Sequence, residues 1–168
     1  MALSGISIAI SYHITKFIPH RRNLYPSIIF GSILPDIDNL LFIINSLFSI
    51  IQISEFSIYN AILHSIFTII LLYLFCSILA EIKNKNIKNI GLGLCIGMLI
   101  HCTLDILFSF KTIHFFWPLP IIGIKIWNFV DVPYWLYNLT MAIDILLFRW
   151  YAWFLIKKNI TLQNINTQ

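Results

Sequence analysis

Long apolar runs separated by short polar stretches organise this chain of 168 residues. Five apolar segments can be drawn, at about residues 3–18, 25–53, 57–82, 87–110 and 133–156. Backbone groups in lipid must bond within their own segment, and no segment alternates as a barrel strand does, so the pattern predicts helices. A span needs about 20 apolar residues, which the last four segments provide, while the first is short and marginal for a span. We therefore expect an all-α integral membrane protein, a bundle of about five hydrophobic helices forming one transmembrane domain over residues 1–168.

The composition agrees with a membrane protein. Hydrophobic residues make up 59% of the chain and charged residues 11%, whereas soluble domains average about 45–50% and about 25%. The three cysteines, Cys76, Cys95 and Cys102, have no paired spacing, so we interpret them as small apolar residues and not as a disulfide framework. The net charge of +4 is explained by basic loops and does not indicate a nucleic-acid partner.

Basic residues lie in alternate connections. They follow the first, third and fifth segments, in the stretches KFIPHRRN, EIKNKNIKN and KKN. Cytoplasmic loops carry the excess of Lys and Arg, so we predict the N-terminus outside and the C-terminus in the cytoplasm. The long connection of residues 111–132 is then expected to lie in the outer interface.

The stretch SILPDIDNLLF, residues 32–42, places Asp36 and Asp38 inside the second apolar segment, just behind Pro35. Proline removes a helical hydrogen bond and clashes with the preceding turn. Broken backbone at membrane depth is tolerated where it lines a cavity. The sequence therefore predicts a break near Pro35 that turns both carboxylates into the bundle.

The ionisable residues within the apolar segments are all His or Asp. They are His13, Asp36, Asp38, His64, His101, Asp105 and Asp144. Each would cost about 2.5–3.5 kcal/mol at mid-bilayer unless it met a partner or a cation. Imidazole and carboxylate together suit zinc, iron or manganese. The four-residue spacing of His101 and Asp105 lets both reach one ion from one helix face.

Plainer interpretations stand beside a metal site. A single membrane His, such as His13, is more often a hydrogen-bonded packing residue than a ligand. For the pair His101 and Asp105, an interhelical hydrogen bond and metal ligation are equally open. Arg149 follows Asp144 on the same predicted helix, which favours an ion pair between the two. The metal interpretation depends on the joint occurrence of these residues.

Four stretches carry a resemblance: LPDID at residues 34–38, LHS at 63–65, GMLIHCTLD at 97–105 and HFFWPL at 114–119. In this order they resemble the YdjM-like family of membrane-bound metal-dependent hydrolases. The resemblance implies a multi-helix inner-membrane protein of bacteria with a His/Asp site of hydrolytic function. It places His13, Asp36, Asp38, His64, His101 and Asp105 on the family's polar positions, and His114, Trp117 and Pro118 in a loop that some members have. The HxxxD pattern is also similar to that of zinc-dependent phospholipase C enzymes.

The sequence departs from the family pattern in two places. Many relatives have His-Arg-Gly ahead of Thr-His-Ser, whereas this chain reads YNAILHS, without the Arg and the Gly. Many relatives also have His after LPDID, where this chain has Asn39. A missing Arg removes a contact to an anionic substrate, so the substrate differs or the activity has been lost.

These observations give two hypotheses. The first is a metal-dependent hydrolase that acts on a membrane lipid or phosphoester at the outer interface and binds a divalent ion, zinc before others. Its candidate metal ligands are His13, Asp36, His64, His101, Asp105 and His114. Asp36 and Asp38 are its candidate catalytic carboxylates, with Asp38 a further ligand or the general base. The second is a non-enzymatic membrane scaffold, assembly or transport subunit that retains the polar cluster for structure.

Overall fold

The computed structural model describes residues 4–18, 23–37, 61–83, 86–108, 112–119, 123–124 and 133–166. The described helices are α1 (Ser4–Thr15), α2 (Leu24–Gly31), a 3-10 turn (Leu34–Asp36), α3 (Ile66–Ile82), α4 (Asn86–Phe108) and α5 (Tyr134–Asn166). The extended pairing within these residues is an isolated antiparallel bridge between Ile113 and Ile124. The predicted all-α class is confirmed for the described part of the chain.

Helix α4 lies between α2 and α3, while α1 packs against α5 and also meets α2 and α4. The contact between α4 and α2 is close because Gly97 has no side chain. A Cβ atom built at Gly97 would overlap the backbone of α2 at Ile28 and Ser32. Small residues allow such close approach between apolar helices. One turn beyond Gly97, this approach brings His101 next to the end of α2.

A small apolar core fills the space between α3 and α4. It consists of Ile69, Cys95, Met98 and Cys102, with Phe115 from the loop after α4 packed against it. Cys76, Cys95 and Cys102 are all free and buried. The cysteines therefore act as small packing residues, as the sequence predicts.

The predicted break in the second segment is confirmed. Helix α2 ends at Gly31, four residues before the proline, and a 3-10 turn carries Pro35 near its start. Asp36 ends that turn and is buried. Asp38 and the rest of this segment lie outside the described residues.

The third segment was expected to be one continuous helix, and this expectation is wrong. Residues 61–63 are helical, but the chain turns at His64 and is extended at Ser65, where φ is −84° and ψ is 138°. The Ser65 hydroxyl accepts a hydrogen bond of 3.2 Å from the amide of Phe67 and so caps α3. Serine stabilises helix starts in this way because its oxygen satisfies an amide that has no helical partner. The break leaves His64 at the N-terminal end of α3.

Helix α5 is longer than the predicted fifth segment. It continues beyond Ile156 to Asn166, through the polar stretch that follows the fifth apolar segment. No glycine or proline interrupts residues 157–166, so local sequence does not end the helix. Two helical stretches, Asn86–Phe108 and Tyr134–Lys157, are long and apolar enough to cross a membrane.

Candidate metal centre

Four buried side chains from three elements meet at one place. The 3-10 turn contributes Asp36, the turn before α3 contributes His64, and α4 contributes His101 and Asp105 from one face. His101 is 0% exposed and His64 is 3% exposed, so the centre is closed to solvent. The helix breaks at residues 31–34 and at His64–Ser65 are what allow this convergence, because regular helices would carry both side chains past the site.

The facing atoms lie close together. His64 Nε2 is 3.2 Å from Asp105 Oδ2, and His101 Nε2 is 3.4 Å from the same oxygen. His101 Nε2 is also 3.5 Å from Asp36 Oδ1. Each of Asp36, His64 and His101 offers a ligand atom within 4.8 Å of the others. The predicted convergence of these three residues with Asp105 is therefore present in the described structure.

The ring of His101 is oriented by the main chain. Its Nδ1 lies 2.8 Å from the carbonyl oxygen of Ser32, which can only accept a hydrogen bond. Nδ1 therefore carries the proton in the neutral ring, and Nε2 presents its lone pair to the two carboxylates. Metal-binding histidines are fixed by this kind of bond from the other ring nitrogen.

Two buried polar atoms at the centre have no hydrogen-bond partner among the described residues, His101 Nε2 and Asp105 Oδ1. Buried polar atoms are nearly always paired, so such atoms call for an explanation. Ligands about 2.0–2.1 Å from a tetrahedral ion lie about 3.3 Å from each other, which is close to the three His–Asp distances of 3.2–3.5 Å, whereas the atoms of Asp36, His64 and His101 lie within 4.8 Å of one another. Two imidazoles and two carboxylates are a donor set for zinc or a similar ion. The residues present fit a divalent metal.

Other groups support the four side chains. The hydroxyl of Ser4 at the start of α1 donates to Asp36 Oδ2 over 2.5 Å. Ser65 donates its hydroxyl proton to the carbonyl of Trp117, and the amide of Ile66 donates to the carbonyl of Phe115 over 2.9 Å. The loop of residues 112–119 is thereby fixed over the start of α3. Ser4 was missed from the sequence, where a lone serine near an end of the chain gives no signal.

His13 was expected among the ligands, but the structure places it elsewhere. Helix α1 meets the centre at Ser4, and His13 is nine residues (13 − 4) further along, about 14 Å at 1.5 Å per residue. Its ring is exposed, with Nε2 3.2 Å from the Tyr151 hydroxyl and Nδ1 3.5 Å from Lys16 Nζ. His13 therefore belongs to an aromatic contact between α1 and α5.

His114 is not brought to the centre in the described structure. His114 is exposed beside Gly123, in the loop of residues 112–119, and lies outside the group of converging ligand atoms. The loop reaches the centre through Ser65 and Ile66 instead. Asp38 lies outside the described residues.

Asp144 also differs from expectation. It is only 7% exposed, and its Oδ1 accepts a hydrogen bond of 3.0 Å from the amide of Ile6 in α1. Arg149, its expected partner, is exposed. The carboxylate therefore serves the start of a neighbouring helix in place of an ion pair on its own helix.

The chain belongs to the YdjM inner membrane protein family, whose family model matches residues 2–163. This confirms the resemblance carried by the four sequence stretches. The family is named for the inner membrane, which agrees with the two apolar helices long enough to cross one. No curated protein and no solved structure matches the chain.

Proposed function

We propose that this chain is an integral inner-membrane hydrolase that depends on a divalent metal, with zinc the first candidate, and acts on a lipid or phosphoester at the outer interface. The observation that carries the proposal is the orientation of His101. Its Nδ1 is committed to the Ser32 carbonyl, and its Nε2 faces two carboxylates without forming a hydrogen bond within the described structure. That arrangement is typical of a ligand held ready for a cation.

In this proposal His64, His101, Asp36 and Asp105 would hold the ion, and hydrolysis would require that they leave one coordination position for water, as catalytic zinc sites do. When bound, such an ion supplies Lewis-acid chemistry, since it acidifies water and polarises a phosphoryl or acyl oxygen. The closed packing around His101 excludes bulk water and keeps both imidazoles oriented. Asp38, two residues beyond Asp36, is the proposed general base that accepts the proton of water.

The substrate class follows from location. Centre residues lie at the N-terminal ends of α1 and α3 and toward the C-terminal end of α4, away from the basic residues Lys16, Lys83 and Lys88. If the basic ends face the cytoplasm, the centre lies in the outer half of the membrane. A substrate that reaches it from lipid is a membrane-embedded ester. The Arg that many relatives carry before His64 is missing, so we expect a substrate recognised without that cation.

Membrane integration is supported by the exposed surface of α5. The exposed side chains of α5 include Trp135, Ile145, Leu146, Trp150 and Trp153. Tryptophans near both ends of an apolar helix are typical of the two membrane interfaces. We propose that all five apolar segments belong to one transmembrane bundle with the N-terminus outside.

A second candidate function has its own observation. Distances of 3.2–3.5 Å are also those of His–Asp ion pairs, so His64, His101, Asp36 and Asp105 can compensate one another without a cation. A scaffold or assembly subunit would use such a cluster to join α4 to its neighbours.

Elemental analysis of the detergent-purified chain tests the proposal. We expect stoichiometric zinc or a similar ion in the wild type, and loss of that ion in His101→Ala and Asp105→Ala. Thr103→Ala is the matched control, because Thr103 is on the same helix and exposed, and within the described residues its hydroxyl donates to the carbonyl of Leu99 in its own helix. Hydrolysis of phospholipid in mixed micelles should follow the metal content. A folded wild type that holds no ion after incubation with zinc would overturn the proposal and favour the scaffold.

A further inference from the structure

The two oxygens of Asp36 have different neighbours. Oδ1 faces His101 Nε2 at 3.5 Å, while Oδ2 accepts the proton of the Ser4 hydroxyl at 2.5 Å. Asp36 is the last residue of the 3-10 turn and is buried, so the contacts of its two oxygens set the orientation of its carboxylate. The bond from Ser4 selects the rotation in which Oδ1 faces the centre.

Ser4 is itself held in place by α5. The first amides of a helix have no helical partner. In α1 the amide of Ile6 donates to the carboxylate of Asp144, which thus acts as a cap supplied by another helix. Gly5 allows the necessary approach, because a Cβ atom there would overlap the backbone of α5 at Asp144 and Phe148. The position of the Ser4 hydroxyl therefore depends on Asp144.

We propose that Asp144 and Ser4 are positioning residues of the metal centre, with Asp144 fixing the start of α1 and Ser4 orienting the carboxylate of Asp36 toward the ion. This inference rests on the proposed function. Neither residue touches the ion or the substrate. Partners of this kind raise the affinity of a site because the ligand does not have to be ordered when the metal binds, and their removal typically lowers metal affinity by about 10–100-fold.

The test measures zinc affinity by competition with a fluorescent chelator, and separately the thermal unfolding of the metal-free protein in detergent. Ser4→Ala should weaken zinc binding about tenfold, with little change in the unfolding temperature of the metal-free form. Ser4→Thr keeps the hydroxyl and should restore wild-type affinity. Ser7→Ala is the matched control, because Ser7 is fully buried on the same helix and its hydroxyl has no hydrogen-bond partner within the described structure. It should bind zinc as the wild type does.

A double-mutant cycle tests whether Asp144 acts through Ser4. Asp144→Ala removes the cap, so it should lower both the unfolding temperature and the zinc affinity. If Asp144 works by placing Ser4, the zinc affinity of the double variant Ser4→Ala/Asp144→Ala should equal that of the single variant with the lower affinity. Additive losses in affinity would overturn the link between the two residues.

The outcomes separate this inference from the proposed function. The positioning role is overturned if Ser4→Ala binds zinc as tightly as the wild type while His101→Ala does not bind it. The metal centre itself would then remain in place. A wild type that binds no zinc overturns both.

Discussion

The four histidines that the structure describes lie in two kinds of environment, and the environment decides whether each can serve as a ligand. His64 and His101 are buried and face carboxylates across 3.2–3.5 Å. His13 and His114 are exposed, and His13 already contacts Tyr151 and Lys16. We therefore predict that His64→Ala abolishes stoichiometric metal binding, while His13→Ala and His114→Ala retain it. Metal analysis of the three purified variants measures this directly, and loss of metal in His13→Ala would return that residue to the ligand set.

At the residue scale, the members of the centre could be predicted because ionisable side chains are costly in apolar helices. The cost selects His and Asp positions but does not tell which of them share a site. His13 was included because it is an ionisable residue in an apolar segment and falls on a polar position of the resembled family. The structure shows that α1 meets the centre with its first residue, Ser4, nine residues from His13. Ser4 and the Asp144 cap depend on contacts between distant parts of the chain, which spacing alone does not reveal.

At the scale of helices, the centre depends on how closely α4 approaches α2. A Cβ atom at Gly97 would overlap the backbone of α2 near Ile28 and Ser32, and the Ser32 carbonyl is the acceptor for His101. We predict that Gly97→Ala lowers the unfolding free energy by about 1–3 kcal/mol, the usual cost of overpacking. The same change should weaken zinc binding, because it moves the carbonyl that orients the imidazole. Thr103→Ala on the exposed face of α4 is the control. Denaturant unfolding in detergent measures the unfolding free energy, and chelator competition measures the zinc affinity. A Gly97→Ala protein with wild-type values of both would contradict this account of the contact between α4 and α2.

Two helix breaks form the centre. The sequence analysis predicted the first break and missed the second, although the sequence contains a signal for it. Pro35 predicts the first break, because proline disrupts the helical hydrogen bonds. Helix α2 ends before the proline, at Gly31. The second, at His64 and Ser65, was missed because the apolar residues on both sides look continuous. Its signal is Ser65, a favoured helix cap placed before an apolar run. Serine is also common within membrane helices, so this signal becomes specific only once the loop that Ser65 contacts is known.

At the scale of the whole molecule, the basic residues lie at the helix ends opposite to the centre. Lys16 follows α1, and Lys83 and Lys88 lie where α3 ends and α4 begins. The centre lies toward the other ends of these three helices. The alternation of basic loops could be derived from the sequence, but the pairing of α1 with α5 could not, since these helices are far apart in the chain and neither carries a motif for the other. That pairing is what gives Asp144 its role.

The arrangement predicts a sidedness that labelling can measure. Basic connections stay in the cytoplasm, so Asn86, between Lys83 and Lys88, should face inward, and Glu55, in the opposite loop, should face outward. Glu55→Cys should react with a membrane-impermeant maleimide in intact cells, whereas Asn86→Cys should react only after the membrane is opened. Cys76, Cys95 and Cys102 are buried and provide a low background, with the wild type as control. Reaction of both positions from one side would refute the topology. Reaction of Asn86→Cys alone in intact cells would invert the topology and place the centre in the cytoplasmic half of the membrane.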